Sequence, residues 1–102
     1  MHKHFGAVTV LVISGLASLS GGCTINRDFA RWHASQGARD ASAHRLDAAL
    51  AEFREAVRLD PEFAEGHYQL GLIYKEKGEL EQAAESMQEA VRLDPRKAKP
   101  RF

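Results

Sequence analysis

Few residues in this chain of 102 could do chemistry: one cysteine, Cys23, five histidines, and a Ser42–His44 pair. Ser42 and His44 would have to act as nucleophile and base. Residues two apart on a helix point away from each other, and no glycine-rich elbow or oxyanion-hole motif accompanies them. His2 and His4 belong to the N-terminal segment, while His33, His44 and His67 are scattered. None of them shares the four-residue spacing of helical metal ligands, and there is no second cysteine to complete a site. His67 reads as a packing residue. Gly21-Gly22 belongs to the N-terminal segment and forms no phosphate-cradling loop. The expectation is therefore no catalytic residue, no metal and no cofactor: a protein that is not an enzyme.

Cys23 stands in a different context. Lys3 is followed by an apolar run from Phe5 to Leu19 and then by small residues, the layout of a secretory signal. The run is short for a bilayer span, which needs about 20 apolar residues. Ser14, Gly15, Ser18 and Ser20 dilute it further. With no partner for a disulfide, a lone cysteine after Ser20-Gly21-Gly22 resembles the lipobox of bacterial lipoproteins. Where that family places Leu, three residues before the cysteine, this chain has Ser20, with Leu19 one position earlier. The resemblance implies cleavage after residue 22 and lipid on Cys23, and Thr24 in the next position leans towards the outer membrane. Plain secretion, a retained anchor or a free thiol are the alternatives.

Lys plus Arg and Asp plus Glu are both 14, so no global charge argues for a nucleic-acid partner. What organises the rest of the chain is repetition. Glu55–Pro61 and Glu89–Pro95 both read EAVRLDP, at an offset of 34 residues. At the same offset Gly37 meets Gly71, Leu46 meets Leu80 and Ala49 meets Ala83. Fixed-period self-similarity marks stacked repeats. Leu46, Ala49, Leu50, Phe53, Ala56 and Val57 recur at helical steps, and Leu80, Ala83, Ala84, Met87, Ala90 and Val91 repeat them. Phe63, His67, Leu70 and Tyr74 step by four, three and four, and Gly78 stops that helix. Asp60-Pro61 and Asp94-Pro95 stop the other two, because proline disfavours helical geometry in the residue before it.

The pattern predicts an all-α fold of four helices near 29–42, 46–59, 63–76 and 80–93, paired as two antiparallel hairpins in a short solenoid. The first helix is the weakest, since residues 33–44 show little apolar periodicity. Residues 1–22 read as the signal, 23–28 as a flexible tether, 29–95 as the helical domain and 96–102 as a disordered basic tail. Ala49, Ala56, Gly71, Ala83 and Ala90 leave room for close helix approach.

Residues 64–97 resemble a complete tetratricopeptide repeat, with Leu70, Gly71, Tyr74, Gly78, Ala83, Ala90 and Pro95 at the family's spacing. His67 stands where the family favours Trp, and Met87 where it favours an aromatic. Residues 30–63 match in their second half, at Leu46, Ala49, Phe53, Ala56 and Pro61. The first half keeps Gly37 and has Trp32 one position off, but carries Gln36 for Leu, Asp40 for Tyr and His44 for the turn Gly.

The resemblance implies a concave groove lined by the first helix of each repeat, here Glu65, Tyr68, Leu72, Lys75 and Glu76. Tyr68 and Leu72 form an anchor pair four apart, unless the first helix covers both. The expected function is that of a protein-interaction adaptor in the bacterial envelope, held to the membrane by lipid on Cys23, with another envelope protein or peptide as partner. The alternative is a self-associating stub, a homodimer or a piece docked on a larger assembly, since stacked repeats usually need about three units.

Overall fold

The computed structural model describes residues 22–98, four α-helices followed by a 3-10 turn. The apolar run Phe5–Leu19 of the expected signal, and residues 99–102 of the expected tail, lie outside the described residues. Helix α1 is Gly22–Ser42, α2 Leu46–Leu59, α3 Ala64–Lys77 and α4 Leu80–Leu93, and the turn is Pro95–Ala98. The last three helices fall within a residue of their expected limits. The first does not: α1 is helical through residues 23–28, expected as a tether, and is 21 residues long against 14 for each of the others.

The backbone repeats its punctuation. Asp60 and Asp94, each before a proline, leave the helix at φ −136° and −142°. Their N–H groups still donate to Ala56 O and Ala90 O, at 3.0 and 2.8 Å. Their carboxylates accept from the backbone N–H of Glu62 and Arg96, both at 3.2 Å, which closes each turn. The other two turns also match. Gly78 sits at φ 82° and His44 at φ 59°. Behind them Glu79 N donates to Tyr74 O and Arg45 N to Asp40 O, both at 2.8 Å. These six-to-one bonds satisfy carbonyls that the helix end would orphan. His44 adopts the left-handed geometry without a glycine's freedom, at a cost of about 1 kcal/mol.

The core lies between the hairpins. Ala49 and Phe53 of α2 meet Leu70 and Ile73 of α3, with Leu46, Leu50, Val57 and Tyr74 packed around them. Helix α2 packs on α1 on one side and on α3 on the other, and α3 pairs with α4. Each hairpin closes at a glycine. A Cβ on Gly37 would lie 2.7 Å from the Phe53 ring, and one on Gly71 would lie 2.8 Å from Met87 Cγ. Phe53 and Met87 are themselves equivalent positions of the repeat, so both hairpins use one contact. Ala30, Ala56, Ala83 and Ala90 are also buried at helix contacts. The weak periodicity of α1 has its explanation here. The helix buries Ala30 and Gly37 and packs Ala34 and Ala41 against the core, at spacings of four, three and four. The stripe is helical, but built of small residues that hydrophobic patterning underweights.

Candidate functional site

Helix α3 carries Glu65, Tyr68, Leu72, Lys75 and Glu76 at steps that hold them on one face. The two ends of this face differ. Leu72, Lys75 and Glu76 are exposed, whereas Tyr68 and Glu65 are half-buried. Leu72 and Tyr68 are absent from the core that α1 helps to cover. What sits on Tyr68 is the chain's own C-terminal side. The Lys97 ammonium lies 4.9 Å from the Tyr68 ring centroid and also pairs with the Glu65 carboxylate. Residues 96–98, expected as the start of a disordered tail, are thus ordered, and Asp94 holds Arg96 at 2.9 Å. An aromatic face and a carboxylate together make a better seat for a cation than water-exposed tail positions do.

The electrostatics follow from this seat. Burial works to raise the Glu65 pKa, but the Gln69 amide at 2.7 Å and Lys97 outweigh it, and the carboxyl lies below its ordinary value. At the far end of the face, His44 Nδ1 lies 3.8 Å from Glu76, with both side chains open to solvent. Lys77, pairing with Asp47, joins the end of α3 to the start of α2, and the carboxylate raises its pKa.

The chemically capable residues are engaged separately. Ser42 Oγ donates to Ala38 O at 3.0 Å and makes no contact with His44. His33 Nδ1 lies 3.1 Å from Glu52 Oε1, and His67 Nε2 2.9 Å from Pro61 O. His67 thereby staples the α2–α3 turn to α3, a packing role with a polar tip. The α-helical backbone includes Cys23.

Two further surfaces carry exposed apolar residues outside the sites expected from the sequence. Ile25, Phe29 and Trp32 are all more than half exposed on α1, on the side away from Ala30 and Gly37. Their four- and three-residue spacing was available in the sequence, but assigning residues 23–28 to a tether cut the stripe in two. On α4, Leu80 is 66% exposed, and Met87 and Val91 are only partly covered. These are the repeat equivalents of Leu46, Phe53 and Val57, which α3 covers in the first hairpin.

The 34-residue repeat and its matched turns meet two family models. A model described as TPR repeat matches residues 41–78, and one described as Tetratricopeptide repeat matches residues 64–97. The chain is a tetratricopeptide repeat protein. The TPR matches run without a gap from the end of α1 to the 3-10 turn, and they leave most of α1 outside. A comparison with curated proteins found no match. The tetratricopeptide repeat is a protein–protein interaction module, so protein partners are the general expectation for the faces described above.

Proposed function

We propose that the protein is a non-enzymatic adaptor of the bacterial envelope, anchored by lipid on Cys23 and facing the periplasm, with the outer membrane favoured. The α3 face engages another envelope protein or a peptide segment. The observation that carries the reading is the exposure of Leu72 beside Lys75 and Glu76 on a family interaction helix. An apolar anchor ringed by charges of both signs suits a protein ligand. The signal-like residues 1–22 and the small residues before Cys23 support the anchor.

Two measurements test this. Intact mass of the protein purified from membranes should show a chain beginning at Cys23 and carrying acyl groups, because stable anchoring needs more than one lipid chain. An unmodified Cys23 removes the lipoprotein claim. For the face, a photo-crosslinking residue at Leu72 should trap one protein species in cells, while the same residue at exposed Gln82 on α4 should not. Equal labelling from both positions, or from neither, ends the groove reading. Tyr68→Ala should weaken that crosslink while leaving the helical signal nearly intact, since an interface aromatic contributes about 2 kcal/mol or more to association.

The exposure of Leu80, with Met87 and Val91 half-open, favours a second reading. The stack ends on a surface that its own repeat covers one unit earlier. A second copy, or a helix of a larger assembly, would complete it, and light scattering on the purified protein separates a dimer from a monomer.

A further inference from the structure

Helix α1 is amphipathic in an inverted sense. Its core side is made of Ala30, Ala34, Gly37 and Ala41, while its large apolar residues, Ile25, Phe29 and Trp32, face outward. At about 100° per residue the three fall within one narrow stripe, opposite the core. Ile25 is 54%, Phe29 54% and Trp32 55% exposed, and Asp28 borders them. A contiguous group of this kind, on a domain with little core to spare, calls for an occupant.

The position of the stripe says which one. It begins two residues after Cys23, and the apolar run Phe5–Leu19 precedes both. Helix α1 exceeds α2 by a length of about two turns, so its first residues extend past the α2–α3 turn. No tether separates Cys23 from the stripe, because the helix is continuous from Gly22 to Ser42. Whatever fixes Cys23 at a bilayer therefore fixes Ile25 within a few ångströms of it. Residue type agrees: tryptophan and phenylalanine are residues of the headgroup–acyl boundary. Arg27 and Arg31 face the cleft at the α2–α3 turn instead, with Arg31 over the Phe63 ring, so the stripe meets the boundary through its apolar side chains.

We propose that the Ile25–Phe29–Trp32 stripe of α1 lies in the headgroup–acyl boundary of a phospholipid bilayer and holds the repeat hairpins in a fixed orientation to the membrane. The proposal rests on the envelope-anchored reading for bringing α1 to the bilayer. The lipid on Cys23 tethers, and the stripe orients. Two contacts on one helix remove the rotation that a lipid anchor alone leaves free.

Trp32 is the chain's single tryptophan, so its fluorescence reports the stripe directly. The protein purified from membranes is reconstituted into vesicles of phosphatidylethanolamine and phosphatidylglycerol, with parallel vesicles carrying brominated acyl chains. The expected result is quenching of Trp32 by the brominated chains and protection from aqueous iodide. The Ile25→Ser/Phe29→Ser variant should lose both while keeping its circular dichroism, because neither side chain supports the core. Iodide quenching in the unaltered protein, with no effect of bromine, overturns the proposal. Protection from iodide without bromine quenching also overturns it, because a second copy then covers the stripe. Flotation with the vesicles and the mass of Cys23 report on the anchor separately. A floating, lipidated protein whose Trp32 stays in water loses the stripe and keeps the anchor. An unlipidated chain that binds the vesicles and is quenched by bromine keeps the stripe and loses the anchor.

Discussion

Gly37→Ala and Gly71→Ala place the same methyl group at the same position of two successive repeats, and they should not cost the same. In both, alanine gains about 1 kcal/mol of helix propensity over glycine. In both, the new Cβ is too close to the neighbouring helix. At Gly37 it would stand 2.7 and 2.8 Å from two carbons of the Phe53 ring. That ring is 2% exposed and is held by Leu70 and Ile73, so it has nowhere to go. The strain belongs at the upper end of the usual overpacking range of about 1–3 kcal/mol, leaving a net loss of about 2 kcal/mol. At Gly71 the Cβ would meet Met87 at 2.8 to 3.0 Å. Met87 is half-buried at the open end of the stack, and its unbranched chain can re-aim. There the strain should be near 1 kcal/mol, roughly cancelled by propensity.

Thermal melts followed by circular dichroism read the difference. A loss of about 2 kcal/mol in a domain of this size lowers the midpoint by about 8–16 °C. Gly71→Ala should melt within a few degrees of the unaltered protein. Combining Gly37→Ala with Phe53→Leu should recover part of the loss, as a coupling of about 0.5–3 kcal/mol expected between touching residues. A Gly37→Ala protein that melts at or above the original, or a Gly71→Ala protein that loses as much, would refute the reasoning. So would strict additivity with Phe53→Leu, which would locate the strain elsewhere.

His44→Gly should raise the melting temperature modestly, since it removes about 1 kcal/mol of left-handed strain and returns part of it as chain entropy. Gly78→Ala, at φ 82°, should lower it by a comparable amount, and equal melts for both variants would contradict the matched turns. Ala83→Leu should cost about 1–3 kcal/mol at a buried helix contact, while Gln88→Leu, on an exposed position, should leave the melt nearly unchanged. The folded Glu65 carboxyl lies below its ordinary value of 4.5, so its contribution is complete above that value and is lost as pH falls through the lower folded pKa. Glu65→Gln should flatten the acid side of a stability–pH curve, and an unchanged curve would show that Lys97 does not hold the tail.

Most of the fold was legible because it rests on local rules. The letters EAVRLDP now have assignable jobs. Glu55–Arg58 and Glu89–Arg92 are surface pairs one turn apart, Ala56 and Ala90 are buried contacts, and Asp-Pro ends the helix. Each job is readable from residue type and spacing alone. The beginning of α1 was not, because Gly22, Thr24 and Asn26 are poor helix formers and nothing local marks a start. Nor does burial mark it: residues 25–29 are exposed, and Ala30 is the first buried residue among the described side chains of the helix. Glu65, Tyr68, Leu72, Lys75 and Glu76 share one face of α3, as their spacing in the sequence implies, but Lys97 was invisible as their neighbour. It is 32 residues from Glu65 in the chain and reaches it only because the hairpin returns α4 alongside α3.

What the 34-residue period conserves within this chain is therefore contact geometry more than residue identity. His44 and Gly78 differ chemically, yet both take the left-handed turn, because the same six-to-one bond closes both helices. Phe53 and Met87 differ in shape, yet each rests on a glycine of the preceding helix. The identities diverge where the surroundings diverge. Phe53 has α1 on one side and α3 on the other, and a rigid ring fills that space well. Met87 has a neighbour on one side only, and an adaptable side chain suits a face that waits for something to cover it. The repeat is thus closed at its α2–α3 junction and open at α4, and the two positions carry the difference in their side chains.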